Sequence, residues 1–128
     1  MKLLLDTHLL LWAASQQSRL PEAARKLMLD RSHLLYFSAV NLWEIAIKNS
    51  LRREDFHVDT QRLRRGLLAS GYKELAITSD HAMAVENLPM LHRDPFDRML
   101  IAQANMEGLI LLTADLLVAK YQGPVQQV

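Results

Sequence analysis

The chain has 128 residues, half of them apolar, enough for one compact domain over residues 1–128 with its own core and too few for two. Its 15 Lys and Arg against 14 Asp and Glu leave a formal charge of +1, so no global field draws it to nucleic acid or a membrane surface. The lack of cysteine excludes disulfides and thiolate metal sites, and no apolar run approaches a membrane span; with no secretion-type start either, a cytoplasmic protein is expected.

Lys2-Leu3-Leu4-Leu5-Asp6 reads as a strand buried on both faces, as inside a parallel sheet, with Asp6 at its carboxyl edge. Ligands of open α/β sheets bind outside such edges, which makes Asp6 a site candidate; a cap or turn acid is the structural alternative. Thr7 is the expected cap of a helix over residues 9–14. His8 reads as a polar residue near the sheet edge, because no second histidine stands at metal-binding spacing. A second helix starts at Pro21 and ends near Arg31-Ser32. Residues 33–37 predict a second strand, and Ser38 then caps a helix over residues 39–48. Glu44 lies in that helix beside Val40, Leu42, Trp43, Ala46 and Ile47 instead of on a broad solvated face. An i,i+4 pair with Lys48 is its structural explanation.

From Asn49 to Arg65 the chain turns basic, with Lys48, Arg52, Arg53, Arg62, Arg64 and Arg65 outnumbering Glu54, Asp55 and Asp59. The stretch reads either as a solvated helix face or as a track for phosphates. Leu63, Leu67 and Leu68 place an amphipathic helix there, ending at Gly71. Residues 72–77 predict a third strand, and Thr78 or Ser79 caps a helix over residues 81–85. Next, Asp94-Pro95 reads as an N-cap with proline at the first helical position, and Phe96, Leu100, Ile101 and Ala104 give that helix one apolar face. Asp97 on the first turn is explained by capping and the helix macrodipole, or by a site. Gly108 ends the helix, and residues 109–112 form a buried strand. Thr113-Ala114-Asp115 then sets a further acid beyond a strand's carboxyl end, either a turn residue or a ligand. The tail is expected to hold a short helix and an edge strand over residues 125–128.

Alternating strands and helices imply right-handed crossovers and a parallel sheet, which bring strand ends and helix starts to one edge. Asp6 and Asp115 follow strands, and Glu44 and Asp97 sit on early helical turns, so four acids converge there. Such a cluster repels itself unless a divalent cation neutralises it, and oxygen-only ligands suit Mg2+ or Mn2+.

The segments Leu4-Leu5-Asp6-Thr7-His8, Ser38 to Trp43-Glu44-Ile45, His92-Arg93-Asp94-Pro95-Phe96-Asp97-Arg98 to Ala104, and Thr113-Ala114-Asp115 resemble, in order and over nearly the whole chain, a PIN-domain ribonuclease of the VapC toxin type. The resemblance implies a three-layer α/β/α sandwich around a central parallel sheet. It also implies a Mg2+- or Mn2+-dependent endoribonuclease, the toxin half of a type II toxin–antitoxin module. Asp6, Glu44 and Asp97 match the principal catalytic, metal-binding acids, and Asp115 a fourth, more variable one. Asp94 keeps its cap, Thr7 and Thr113 orient waters or ligands, and Arg98 or Arg93 meets the phosphate or serves a salt bridge. The implied partners are an RNA substrate, a VapB-like antitoxin laying an apolar segment and an arginine near the acids, and a second copy in a homodimer. Exposed apolar residues on the second or fourth helix are candidates for the dimer contact. Two departures stand out: residues 49–53 lack the family's usual glycine turn, and Leu116-Leu117 follow Asp115. The competing readings are a catalytically inactive PIN-like binding module, against which the intact Asp6, Glu44 and Asp97 argue, and an aspartyl-phosphate enzyme, which would want a second acid near Asp6.

Overall fold

A computed structural model describes residues 1–51 and 55–128, so Arg52, Arg53 and Glu54 of the basic stretch lie outside the described residues. Five strands, β1 (Lys2–Leu5), β2 (Leu34–Ser38), β3 (Lys73–Leu75), β4 (Ile110–Thr113) and β5 (Val125–Gln127), form one sheet in the order β3-β2-β1-β4-β5. Every pairing is parallel, with Leu4 opposite Tyr36 on one side and Leu111 on the other. Among the described residues six α-helices pack around it: α1 (Thr7–Ser15), α2 (Glu22–Leu29), α3 (Ala39–Ser50), α4 (Thr60–Ala69), α5 (Ser79–Ala84) and α6 (Pro95–Glu107).

The leucine run of β1 shows why the sheet is covered twice. Successive side chains point to opposite faces. Leu4 packs with Val40 of α3 and Leu100, Ile101 and Ala104 of α6. Leu3 and Leu5 pack with Leu9 and Leu10 of α1, Ala24 of α2 and Leu67 of α4. Each fully buried leucine contributes about 1.5–3 kcal/mol. The result is the expected three-layer α/β/α sandwich.

From β1 the chain steps outward to β2 and β3, then returns to place β4 on the other side of β1. The strand order therefore reverses between β1 and β4, and their carboxyl ends open a crevice. Asp6 and Asp115 lie just beyond those ends.

Most element positions follow the sequence reading, with local corrections. Asp6, not Thr7, caps α1: its Oδ1 accepts from Leu9 N at 2.9 Å, and Thr7 is already helical. α2 starts after Pro21 and stops at Leu29, α3 runs on to Ser50, and the tail helix is a single 3-10 turn over Val118–Lys120. α6 begins with Asp94 as cap and ends with Gly108 in the left-handed conformation, φ 68°. Part of the basic stretch is structural: Arg64 forks onto Glu74, with Nε to Oε1 at 2.9 Å and Nη2 to Oε2 at 3.1 Å, and so ties α4 to β3. No helix among the described residues is long and apolar enough to cross a membrane.

Candidate functional site

The switch-point crevice is a cleft of about 190 Å3 lined by Asp6, Thr7, His8, Glu44, Lys48, His92, Asp94, Phe96, Asp97 and Asp115. All four acids singled out in the sequence reach it, from four different elements or their edges.

Asp6 is held on both oxygens. Oδ1 caps α1, and Oδ2 accepts from Thr113 Oγ1 at 2.6 Å, a bond between residues 107 positions apart. Thr113 Oγ1 in turn accepts from Asp115 N at 3.0 Å, which turns the chain after β4 back toward the cleft. Burial pushes the Asp6 carboxyl above its ordinary range, against the opposing pull of the hydrogen bonds from Leu9 and Thr113.

Glu44 is fixed by a relay that sequence reasoning did not identify. Asn41, at the third position of α3, accepts from Ser38 N at 2.7 Å through Oδ1, completing a capping box. Its Nδ2 donates to Leu5 O at 3.3 Å and to Thr7 Oγ1 at 3.0 Å. Thr7 Oγ1 then donates to Glu44 Oε1 at 2.7 Å. The other oxygen, Oε2, meets Lys48 Nζ at 3.1 Å, so the i,i+4 pair is present as well. The available signal was an asparagine one turn before an acid in an otherwise apolar helix.

On α6, Asp94 Oδ1 accepts from Phe96 N at 2.9 Å and Asp97 N at 3.0 Å, confirming its cap and presenting Asp97 to the cleft. Asp97 Oδ2 meets His92 Nε2 at 2.8 Å, a partnership with no periodic signature in the sequence. Burial pushes the Asp97 carboxyl up to about 7; the Asp94 and Glu44 charges add to the rise, and the His92 hydrogen bond opposes it. Burial is the larger cause and the neighbouring acids add to it, and oxygen donors at this spacing are of the kind that suits a hard divalent ion. Among the described residues, His92, Asp94 and Asp97 offer ligand atoms within 4.8 Å of one another.

Arg98, read beside Arg93 as meeting the phosphate or serving a cap or salt bridge, is buried at 7% exposure. Its Nη1 donates to Pro89 O and Tyr121 Oη at 3.0 and 3.1 Å, and its Nη2 to Val85 O at 3.0 Å, with longer contacts to Leu88 O and His92 O. It fastens the segment before α6 instead of facing the cleft. Thr7 Oγ1 and Thr113 Oγ1 donate to the carboxylates of Glu44 and Asp6.

A doubly wound parallel sheet with carboxylates gathered at its switch point defines the class. Within that class, the model of the PIN domain matches residues 3–123, and the chain belongs to that family. Comparison with curated proteins finds no match. Among solved structures, VapBC2 from Rickettsia felis bound to a promoter DNA fragment is similar at a TM-score of 0.72 and 12% identity, over 100% of this chain and 99% of that one. A toxin–antitoxin complex from Klebsiella pneumoniae is similar at 0.66 and 19% identity, over 96% and 94% of the two chains. DNA-bound VapBC from Salmonella typhimurium is similar at 0.66 and 18% identity, over 100% and 97%. At these identities the likeness carries the fold.

Proposed function

We propose that this chain is a VapC-type toxin, a Mg2+- or Mn2+-dependent endoribonuclease that acts in the cytoplasm. The observation that carries the reading is the convergence of Asp6, Glu44, Asp97 and Asp115 on one small cleft, where Lys48 is the one lysine or arginine among the described lining residues. In this reading Asp6, Glu44 and Asp97 hold the ion and Asp115 completes its surroundings. The bound ion supplies an activated water and neutralises charge developing on the phosphodiester. The chain does the positioning. Thr113 and Thr7 lock the rotamers of Asp6 and Glu44, the Asp94 cap aims Asp97 inward, and half-buried Lys48 at the cleft edge offers its ammonium to a substrate phosphate.

The partners follow from the same reading. A groove of about 920 Å3 runs between α1, α2 and α4, walled by Leu11, Leu20, Met28, Leu63, Leu67 and Tyr72 with Arg25 and Arg62. Its walls suit an apolar segment of a VapB-like antitoxin, and Arg25 Nε, buried there without a hydrogen-bond partner, would find an acceptor on such a segment; the groove shares no lining residue with the acid cleft, so an antitoxin arginine near the acids would come from another part of that chain. The implied homodimer would draw on exposed apolar side chains outside that groove, Leu68 on α4 among them.

The test is cleavage of total cellular RNA by purified chain free of any antitoxin, with Mg2+ or Mn2+ against EDTA, beside Asp97→Asn. Discrete cuts that require the ion and vanish in the variant support the reading. Folded protein that cuts no cellular RNA in either metal favours the non-catalytic binding module.

A further inference from the structure

The proposed nuclease reading needs only oxygen ligands, yet the tightest gathering of ligand atoms among the described residues is mixed. His92 joins Asp94 and Asp97 in offering atoms within 4.8 Å of one another. Its Nε2 lies 2.8 Å from Asp97 Oδ2. Neighbouring donors on an ion at bond lengths of about 2.1 Å stand about 3 Å apart, so the two atoms already have the separation of ligands sharing one cation.

The imidazole is held in place by its backbone. His92 N donates to Tyr121 Oη at 3.1 Å, and Tyr121 Oη donates back to His92 O at 3.4 Å. Tyr121 is 4% exposed, and its hydroxyl also accepts from the buried Arg98 at 3.1 Å. These contacts fix the His92 backbone at the rim of the cleft, and its ring lines the cleft beside Asp97.

We infer that His92 is a direct ligand of the ion held by Asp97, with the ring proton on Nδ1, and that this nitrogen makes the site selective for Mn2+ over Mg2+. Mg2+ demands oxygen donors and gives up water reluctantly, whereas first-row transition ions accept imidazole readily. The inference rests on the nuclease reading only in taking a divalent cation to occupy this cleft.

The experiment uses Mn2+ alone as the probe on the purified full-length chain. Pulsed EPR reads hyperfine coupling from a directly bound imidazole nitrogen, and calorimetry gives the Mn2+ and Mg2+ affinities. Expected are nitrogen coupling in the unaltered chain, its loss in His92→Ala and His92→Gln, and an Mn2+ affinity about ten-fold or more weaker in both variants, with a smaller change for Mg2+. Mn2+ bound without nitrogen coupling, or equal losses for the two ions, overturns the inference. The coupling is read on the unaltered chain, so a variant that fails to fold does not remove the test. Metal-dependent RNA cleavage without nitrogen coupling sinks histidine ligation alone, and nitrogen coupling in a chain that cuts no RNA sinks the nuclease reading alone.

Discussion

Asp97 and Arg98 are consecutive residues on the first turn of α6, and their surroundings are opposites. Arg98 is a buried charge whose terminal nitrogens are spread over backbone carbonyls and one tyrosine hydroxyl. Asp97 is a partly buried charge set beside Asp94 and Glu44, relieved by one histidine. A saturated charge stabilises the fold, and an under-compensated one destabilises it until something arrives from outside. Two faces of a single helical turn thus divide scaffold from site, and each change below acts on one side of that division.

The largest effect is expected from Asp97→Asn, which lowers RNA cleavage by about 10^2-fold or more, since an ion ligand and local charge are lost together. The same variant exposes the strain the native carboxylate causes. In metal-free protein Asp97 titrates near 7 when folded against 3.8 when unfolded, so the folded state binds the proton more tightly. Its contribution to stability is complete below about pH 4, is lost as pH rises toward 7 and then levels off. Urea unfolding against pH should show that decline in the native chain and a flatter profile in Asp97→Asn.

Arg98→Met tests the other side. It strands several half-buried carbonyls and the buried Tyr121 hydroxyl, and a loss of about 3 kcal/mol is expected in urea unfolding at any pH between 5 and 8. A loss below 1 kcal/mol would mean that water replaces the guanidinium at little cost. Next comes the ion itself. At about 100 times its dissociation constant, Mn2+ should add about 2.7 kcal/mol at pH 7.5, and much less in Asp97→Asn. Gln103→Leu, outside the cleft lining, removes the acceptor of the Ser38 hydroxyl at 2.6 Å and the donor to Ala76 O at 3.3 Å. It should cost about 1–2 kcal/mol without altering ion affinity. The smallest change is Gly108→Ala, where φ is 68° and a Cβ meets nothing within 4 Å. Backbone strain alone then sets a cost of about 1 kcal/mol.

The sequence made one side of this division more readable than the other. Asp94-Pro95 and Gly108 marked both ends of α6, because caps depend on neighbours along the chain. The leucine runs located β1 and β4, and the alternation of elements brought Asp6, Glu44, Asp97 and Asp115 to one edge. What stayed hidden depends on contacts between distant segments. Asp6 and Thr7 are both good caps, and the choice went to Asp6 because its own N–H bonds Leu112 O at 3.1 Å, ending β1 there and leaving Thr7 free to reach Glu44. Arg98 is buried by carbonyls of Val85, Leu88, Pro89 and His92, contacts between segments that no helical period could announce. His92 lies outside any helix or strand, so no period could tie it to Asp97.

The bond from Thr113 to Asp6 joins residues 107 positions apart, and β1 stays an edge strand on one side until β4 docks beside it. The cleft is therefore a product of long-range pairing: α1, α3 and α6 can form from local signals, but Asp6 is held on both oxygens only once β4 is in place, which makes completion of the cleft a late event in folding.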